Sequence, residues 1–168
     1  MPKIILLINE EADNIVSNDR IICYVLSDNL PATKYSEASS TGKMVLVKGE
    51  NALAKCKEFN LDGVVKEIDP KKPLKVQVRS LREALKNKTL GIIIHARRHE
   101  AMLAGEVEPE FIAFYSDNPA QDEYLLSWYN DLFVIPSAWV VQDNFDKAKT
   151  IAADFLMIEA KKIKNFGC

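Results

Sequence analysis

Leu90-Gly91-Ile92-Ile93-Ile94-His95, the segment Arg97 to Gly105, and Phe111-Ile112-Ala113-Phe114-Tyr115 form the stretch on which the fold turns. The first and last runs are apolar at successive positions instead of alternate ones. A strand covered on both faces reads this way, as strands of parallel sheets do. The segment between them is helix-like. Strand, helix and strand in this order make a βα repeat, and the repeat argues for a parallel sheet.

The same rhythm extends in both directions. Short runs rich in Ile, Val, Leu and Phe stand at Lys3 to Ile8, Arg20 to Leu26, Met44 to Val47, Gly63 to Val65, Leu132 to Ile135 and Phe155 to Ile158. Helix-like stretches lie between most of them: Asn51 to Phe59, Gln121 to Asn130, Asn144 to Ala152 and Ala160 to Asn165. Ser80 with Glu83 three residues on makes a capping-box pattern, so a helix is expected to start there. Eight runs suit an eight-stranded barrel, yet such barrels usually take about 200 residues or more. The expected class is therefore α/β, a compact (β/α)8 TIM-type barrel with clipped helices or an incomplete wall. The polar stretch Ser27 to Lys43, with Pro31, reads as loop and is the place where the barrel would stay open. Phe111, Phe114, Phe155 and Leu156 are expected to be largely buried, with about 3–5 kcal/mol lost on cutting Phe155 to Ala.

The chain has 168 residues and reads as a single domain over 1–168 without an internal linker. Its net charge of -2 makes no case for a nucleic-acid or membrane partner. Cys23, Cys56 and Cys168 stand far apart, in no metal or redox spacing. With Met1-Pro2-Lys3 leading straight into a short strand-like run, a reducing, cytoplasmic setting is expected. Cys23 and Cys56 read as small core residues and Cys168 as a loose chain end.

A resemblance to a known family covers Met44 to Lys162 and is clearest from Leu90 onward. Leu90 to His95 resembles a strand that ends in Ser-Thr-His in the thiamine phosphate synthase/TenI family. Glu100-Ala101 and Pro109 to Phe114 are similar to that family's Glu-Ala helix and Ala-Asp-Tyr strand at the same spacing. Leu126 to Pro136 resembles a Trp-containing helix and Val-Pro strand of alphaproteobacterial members. Asp143-Asn144 and Ala152 to Leu156 look like the Glu-Asn helix start and Gly-Ala-Asp-Phe last strand, and Asn60 to Val65 like the Ala-Asp-Gly-Val-His strand. The resemblance implies a barrel that joins a pyrimidine diphosphate to a thiazole phosphate and releases pyrophosphate.

Such chemistry needs cations, backbone N–H groups and a metal around phosphate oxygens. The sequence departs from the family at each such place. Cys23 to Asn29 lacks the Arg and Lys of the Gln-x-Arg-x-Lys strand end. Glu50-Asn51 stands where the resemblance puts an Asn-Asp metal turn, in swapped order. Asp69 falls near the family's second acidic position, but Val65 replaces its His. Ser116 to Ala120 has no Lys where the family has Thr-x-Thr-Lys, and Asp117 would repel a phosphate. Pro136 to Asn144 has no glycine where two glycines let the backbone approach a phosphate, and Trp139 or Val140 would fill that space.

The site candidates are then few. Lys48, Glu50, His95 and Arg97 are candidate ligand contacts, and Glu50 and Asp69 candidate metal ligands. No catalytic residue can be assigned. His95 at a strand's carboxyl end is either an anion contact, with Arg97, Arg98 and His99 beside it, or a hydrogen-bonded core cap. Trp128 and Trp139 read as core. The expected function is a divergent member of the family with impaired catalysis, binding a small molecule in thiamine metabolism. Mg2+ is expected only if the enzyme reading holds; a phosphorylated small molecule is the expected partner, and a homo-oligomer is left open. Two alternatives stand beside it: an active thiamine phosphate synthase or thiazole tautomerase, and a non-enzymatic interaction scaffold. Cations converging on a pocket would favour the enzyme, and an apolar plug the scaffold.

Overall fold

The structure, a computed structural model, describes residues 2–116 and 118–167. Asp117 and Cys168 lie outside the described residues, and with them the expectations placed on those two positions. Eight parallel strands, β1 (Lys3–Ile8), β2 (Ile21–Ser27), β3 (Met44–Lys48), β4 (Gly63–Glu67), β5 (Thr89–His95), β6 (Phe111–Tyr115), β7 (Ser137–Val140) and β8 (Phe155–Glu159), pair in sequence order. β8 pairs with β1, Leu6 opposite Ile158, and the barrel is closed. The fold is a (β/α)8 TIM-type barrel, as the apolar runs predict.

Helices α1 (Ala32–Ser39), α2 (Ala52–Glu58), α3 (Leu74–Leu85), α4 (Arg98–Glu106), α5 (Pro119–Leu132) and α6 (Phe145–Ala148) follow β2 to β7, and a 3-10 helix (Ala160–Phe166) follows β8. The clipped helices were foreseeable from the length. α6 keeps a single turn, and β1 connects to β2 through an irregular loop.

Three expectations about elements are corrected. Ser27 to Lys43 is not merely loop, because α1 forms within it. Tyr35 supplies what the polar sequence hides: its ring stacks on Phe59 at 4.6 Å and its hydroxyl donates to the Ser27 carbonyl at 2.6 Å. Ser80 does not begin a helix. α3 starts six residues earlier, after Pro73, because Leu74, Val78 and Leu85 set one buried stripe, with Ser80 on the exposed side of the same helix. Leu132 to Ile135 is not a strand. Leu132 ends α5 and Val134 is fully exposed, while pairing starts at Ser137, after Pro136, which has no N–H to give a ladder.

Along the strands, alternate side chains fall into two apolar layers. Ile5, Leu7, Cys23, Val25, Leu46, Val65, Ile93, Ala113, Ala138 and Met157 fill the barrel interior. Ile4, Leu6, Tyr24, Leu26, Val47, Ile92, Phe114, Trp139 and Leu156 face the helices. The interior is packed and not a pore. Gly91 leaves room for Phe111, since a Cβ on it would stand 2.2 Å from that ring's Cζ. Phe111, Phe114 and Leu156 are buried as expected. Phe155 is only partly buried, because it sits at the open amino-terminal rim of the barrel, so truncating it removes less buried surface than a core phenylalanine would.

Candidate functional site

The inward alternation puts the last residue of most strands at the carboxyl-terminal mouth, where barrels of this kind collect their chemistry. Ser27 lies opposite Lys48, and His95 opposite Tyr115. Glu67 and Glu159 end β4 and β8 in the same parity. Beneath this polar ring the apolar interior begins at once, with Leu7, Val25, Val65 and Ile93 as the plug.

Two of the four candidate ligand residues share a cavity at the mouth. It has a volume of about 360 Å³ and lies among the ends of β2, β3 and β4, lined by Asp28, Lys48, Glu50 and Glu67 among others. Gly49 shapes its wall. Its φ is +134°, in the region that favours glycine, and a Cβ there would meet the Asp28 carboxylate at 2.3 Å. Asp28 in turn accepts from the Asn51 N–H at 2.7 Å, and its own N–H donates to the Lys48 carbonyl at 3.0 Å. These bonds hold the β2 and β3 ends together. The Lys48 ammonium stands 3.9 Å from the Glu67 carboxylate. The contact is a half-exposed one at the outer edge of ion-pair range.

His95 is half-buried and lies edge-on to Tyr115, with ring centroids 6.0 Å apart. Its ring makes no hydrogen bond to another of the described residues. Arg97 does not join Lys48. It is exposed, and with Asp69 it lines a second cavity of about 310 Å³ outside the barrel. Arg98 leaves this group and lies over the Trp128 ring, 5.2 Å from its centroid.

Glu50 and Asp69 belong to different cavities. Among the described residues no three His, Cys, Asp or Glu side chains group as metal ligands do. Asp69 Oδ1 also accepts from the Lys71 N–H at 2.9 Å. The pair thus does not fit one shared magnesium ion.

Trp139 does not fill the family's phosphate position. It faces outward, buried, and its Nε1–H donates to Asp122 Oδ2 at 2.7 Å, tying β7 to α5. Val140, with inward parity, and Gln142 stand at the mouth instead. The Val141 N–H is spent on the Met157 carbonyl at 2.9 Å, and Gln142 Nε2 donates to the Ser116 carbonyl at 3.2 Å. Beyond β8, Lys162 lies 3.4 Å from Asp143 and 3.8 Å from Glu159.

Sequence reasoning missed Asp28, Glu67, Glu159 and Lys162. The signal was present for two of them: Glu67 and Glu159 follow Val65 and Met157 at the two-residue period that also carries Lys48 and His95 inward.

No family model matches the chain. It is 30% identical over 121 residues to a thiamine-phosphate synthase of Erythrobacter litoralis, an alignment covering 64% of this chain and 55% of that protein. The chain thus spans about half the length of the curated relative it matches. Among solved structures it is similar to thiamine phosphate pyrophosphorylase from Pyrococcus furiosus, with a TM-score of 0.65, 14% identity and coverage of 94% and 85%. It is similar also to tryptophan synthase from M. tuberculosis, with a TM-score of 0.70, 10% identity and coverage of 97% and 84%. An N-acetylmannosamine-6-phosphate 2-epimerase from Clostridium perfringens follows at 0.64, with 11% identity and coverage of 98% and 92%. At such identities these structures show the barrel and nothing of its chemistry.

Proposed function

We propose that the chain is a divergent relative of the thiamine phosphate synthase/TenI family, a small-molecule-binding barrel of thiamine metabolism with impaired synthase activity, working in the cytoplasm. The observation that carries this reading is the state of two mouth lysines, Lys48 and Lys162, although Lys66 in the wall of the same β2–β4 cavity has no ion pair among the described residues. Lys48 is matched by Glu67, and Lys162 by Asp143 and Glu159.

The condensation would require a leaving pyrophosphate to be stabilised by groups aimed at its developing charge. A lysine whose carboxylate partner must first be displaced is poorly arranged for that, and Glu67 and Glu159 add negative charge where phosphate oxygens would sit. The β7–β8 turn supports the same conclusion, because the Val141 amide is committed to the sheet and no glycine lets the backbone close on a ligand. Losing one preorganised donor costs about 10²–10³ in rate, and several such losses leave little even though they do not add.

A second reading, an active synthase, is favoured by the name of the Erythrobacter litoralis relative. Incubating purified protein with the pyrimidine diphosphate, the thiazole phosphate and Mg2+ separates the two. Turnover far below about 1 s⁻¹ is expected. Thiamine phosphate formed at about 0.1 s⁻¹ or faster would sink the impaired reading and establish the synthase. Membrane attachment through a spanning helix has no support, since among the described residues no helix is long and apolar enough to cross a bilayer.

A further inference from the structure

A third cavity, of about 470 Å³, lies in the outer layer between α2 and α3. Leu81 and Ala84 line it from one face of α3 and Leu53 from α2, and all three are half-buried. Gln77, on the same face of α3, has its side-chain amide bonded to the backbone of Asp69 and Lys72. The groove is therefore apolar along the helices. Its upper end is different. Gly49, Glu50, Val65 and Lys66 line this groove and the mouth cavity alike, so the two meet at the ends of β3 and β4.

Lys66 marks the meeting point. A fully exposed lysine without a partner is ordinary, because water answers its charge. A half-buried one has given up part of that water. The other half-buried lysines of this chain all have acceptors. Lys34, Lys43 and Lys88 donate to backbone carbonyls. Lys48, Lys55, Lys147 and Lys162 face carboxylates. Lys66 is half-buried too, yet it has neither a hydrogen bond nor an ion pair among the described residues. It lines both cavities, so a ligand in either can reach it.

The surroundings limit the charge of that ligand. Glu50 shares the junction and is exposed, and Glu67 and Asp28 stand in the adjoining mouth cavity. A phosphate monoester carries close to two negative charges at neutral pH. Lys66 matches one of them, and the carboxylates oppose the other. A carboxylate brings a single charge. We propose that the α2–α3 groove binds a small aliphatic monocarboxylate, with its carboxylate on the Lys66 ammonium and its chain along Leu53, Leu81 and Ala84. This site is additional to the function proposed above and does not rest on it.

Calorimetric titration of the whole chain with hexanoate tests this. Hexanoate should bind with a dissociation constant of about 1 mM or tighter, within reach of a ligand of eight heavy atoms. Propionate lacks three methylenes, each worth about fourfold when fully buried, and should bind at least about tenfold more weakly in this half-open groove. 1-Hexanol keeps the chain and lacks the charge, and should also be at least about tenfold weaker. Lys66→Gln should weaken hexanoate by about the same factor, whereas Lys66→Arg, which keeps the charge, should stay within about threefold of the parent. No binding of hexanoate at about 10 mM would overturn the proposal. Less than tenfold discrimination against propionate would do so too, because the chain would then lie outside the groove. So would less than tenfold discrimination against 1-hexanol, equal loss in both Lys66 variants, or tighter binding of hexyl phosphate than of hexanoate. The comparisons among ligands use the unchanged protein, so they decide the matter even if a variant fails to fold. Synthase turnover enters none of these measurements, so a failure here and a failure of the functional reading are distinguishable.

Discussion

Single residues at the strand ends decide what the mouth can do, and single residues in the outer layer carry unspent chemistry. Tyr129 is the plainest case. It is fully buried, stacked on Phe133 at 4.9 Å and edge-on to Phe114 at 5.3 Å, yet its hydroxyl has no hydrogen-bond partner among the described residues. Burial raises its pKa from the usual tyrosine value, with the Asp154 carboxylate adding to the effect. An unmade hydrogen bond of this kind costs about 1–3 kcal/mol. Tyr129→Phe keeps the ring packing and removes the orphan, so urea denaturation should show a gain of up to about 1 kcal/mol. A loss of similar size would mean that the hydroxyl has a partner in solution.

At the scale of elements, the join between α5 and β7 holds a fully buried polar pair, beside the Ser137 hydroxyl that donates to Asn130 Oδ1 at 3.1 Å. Asp122 is 1% exposed and its carboxylate is met by the Trp139 Nε1–H. Removing the donor strands a buried charge, which is worse than removing both groups. Trp139→Phe should therefore destabilise the protein by about 2–4 kcal/mol. Adding Asp122→Leu to Trp139→Phe should recover part of that loss, and a chemical-denaturation cycle of the two single variants and the double variant measures it. If the double variant is as unstable as the sum of the singles, the pair is not coupled. The β2–β3 join is the corresponding element at the mouth. Gly49→Ala meets both a left-handed φ and the Asp28 carboxylate, and should lower stability by about 1–3 kcal/mol by thermal denaturation.

For the whole molecule, the packed interior sets the response to alkali. Burial pushes the Cys23 thiol from 9.0 up to about 12, with the Asp62 carboxylate adding to the rise. Cys56 and Tyr35 are raised as well, burial being the largest cause for each. These groups keep their protons in the folded chain while the unfolded chain gives them up at ordinary values. Stability is thus fully present below about pH 9 and falls as pH rises from there toward about 12. The steepest contribution from Cys23 alone is about 1.4 kcal/mol per pH unit. Denaturation midpoints measured from pH 7 to 11 should be level at first and then drop, and Cys23→Ala should flatten the drop. A level profile to pH 11 would show the thiol to be accessible.

By itself the sequence determined the barrel, because burial on both faces leaves an unbroken apolar signature that no other strand environment needs. Lys3 to Ile8 and Phe111 to Tyr115 are read to the residue for this reason. It determined equally that the β7–β8 turn has no glycine, since backbone approach depends on residue type alone. Tertiary structure decided the rest. β7 escaped because Leu132 and Val134 are apolar without being covered, and α1 because its polar surface hides the two contacts of Tyr35. The site candidates were separated for a related reason. Lys48 and Glu50 follow one another at the end of β3, whereas Arg97 and Asp69 are brought together by the neighbouring ends of β5 and β4, and nothing in their spacing along the chain records which cavity each enters. Pairing of charges is likewise a property of space: only the folded chain sets Glu67 against Lys48, and only there is Lys66 half-buried without a partner among the described residues.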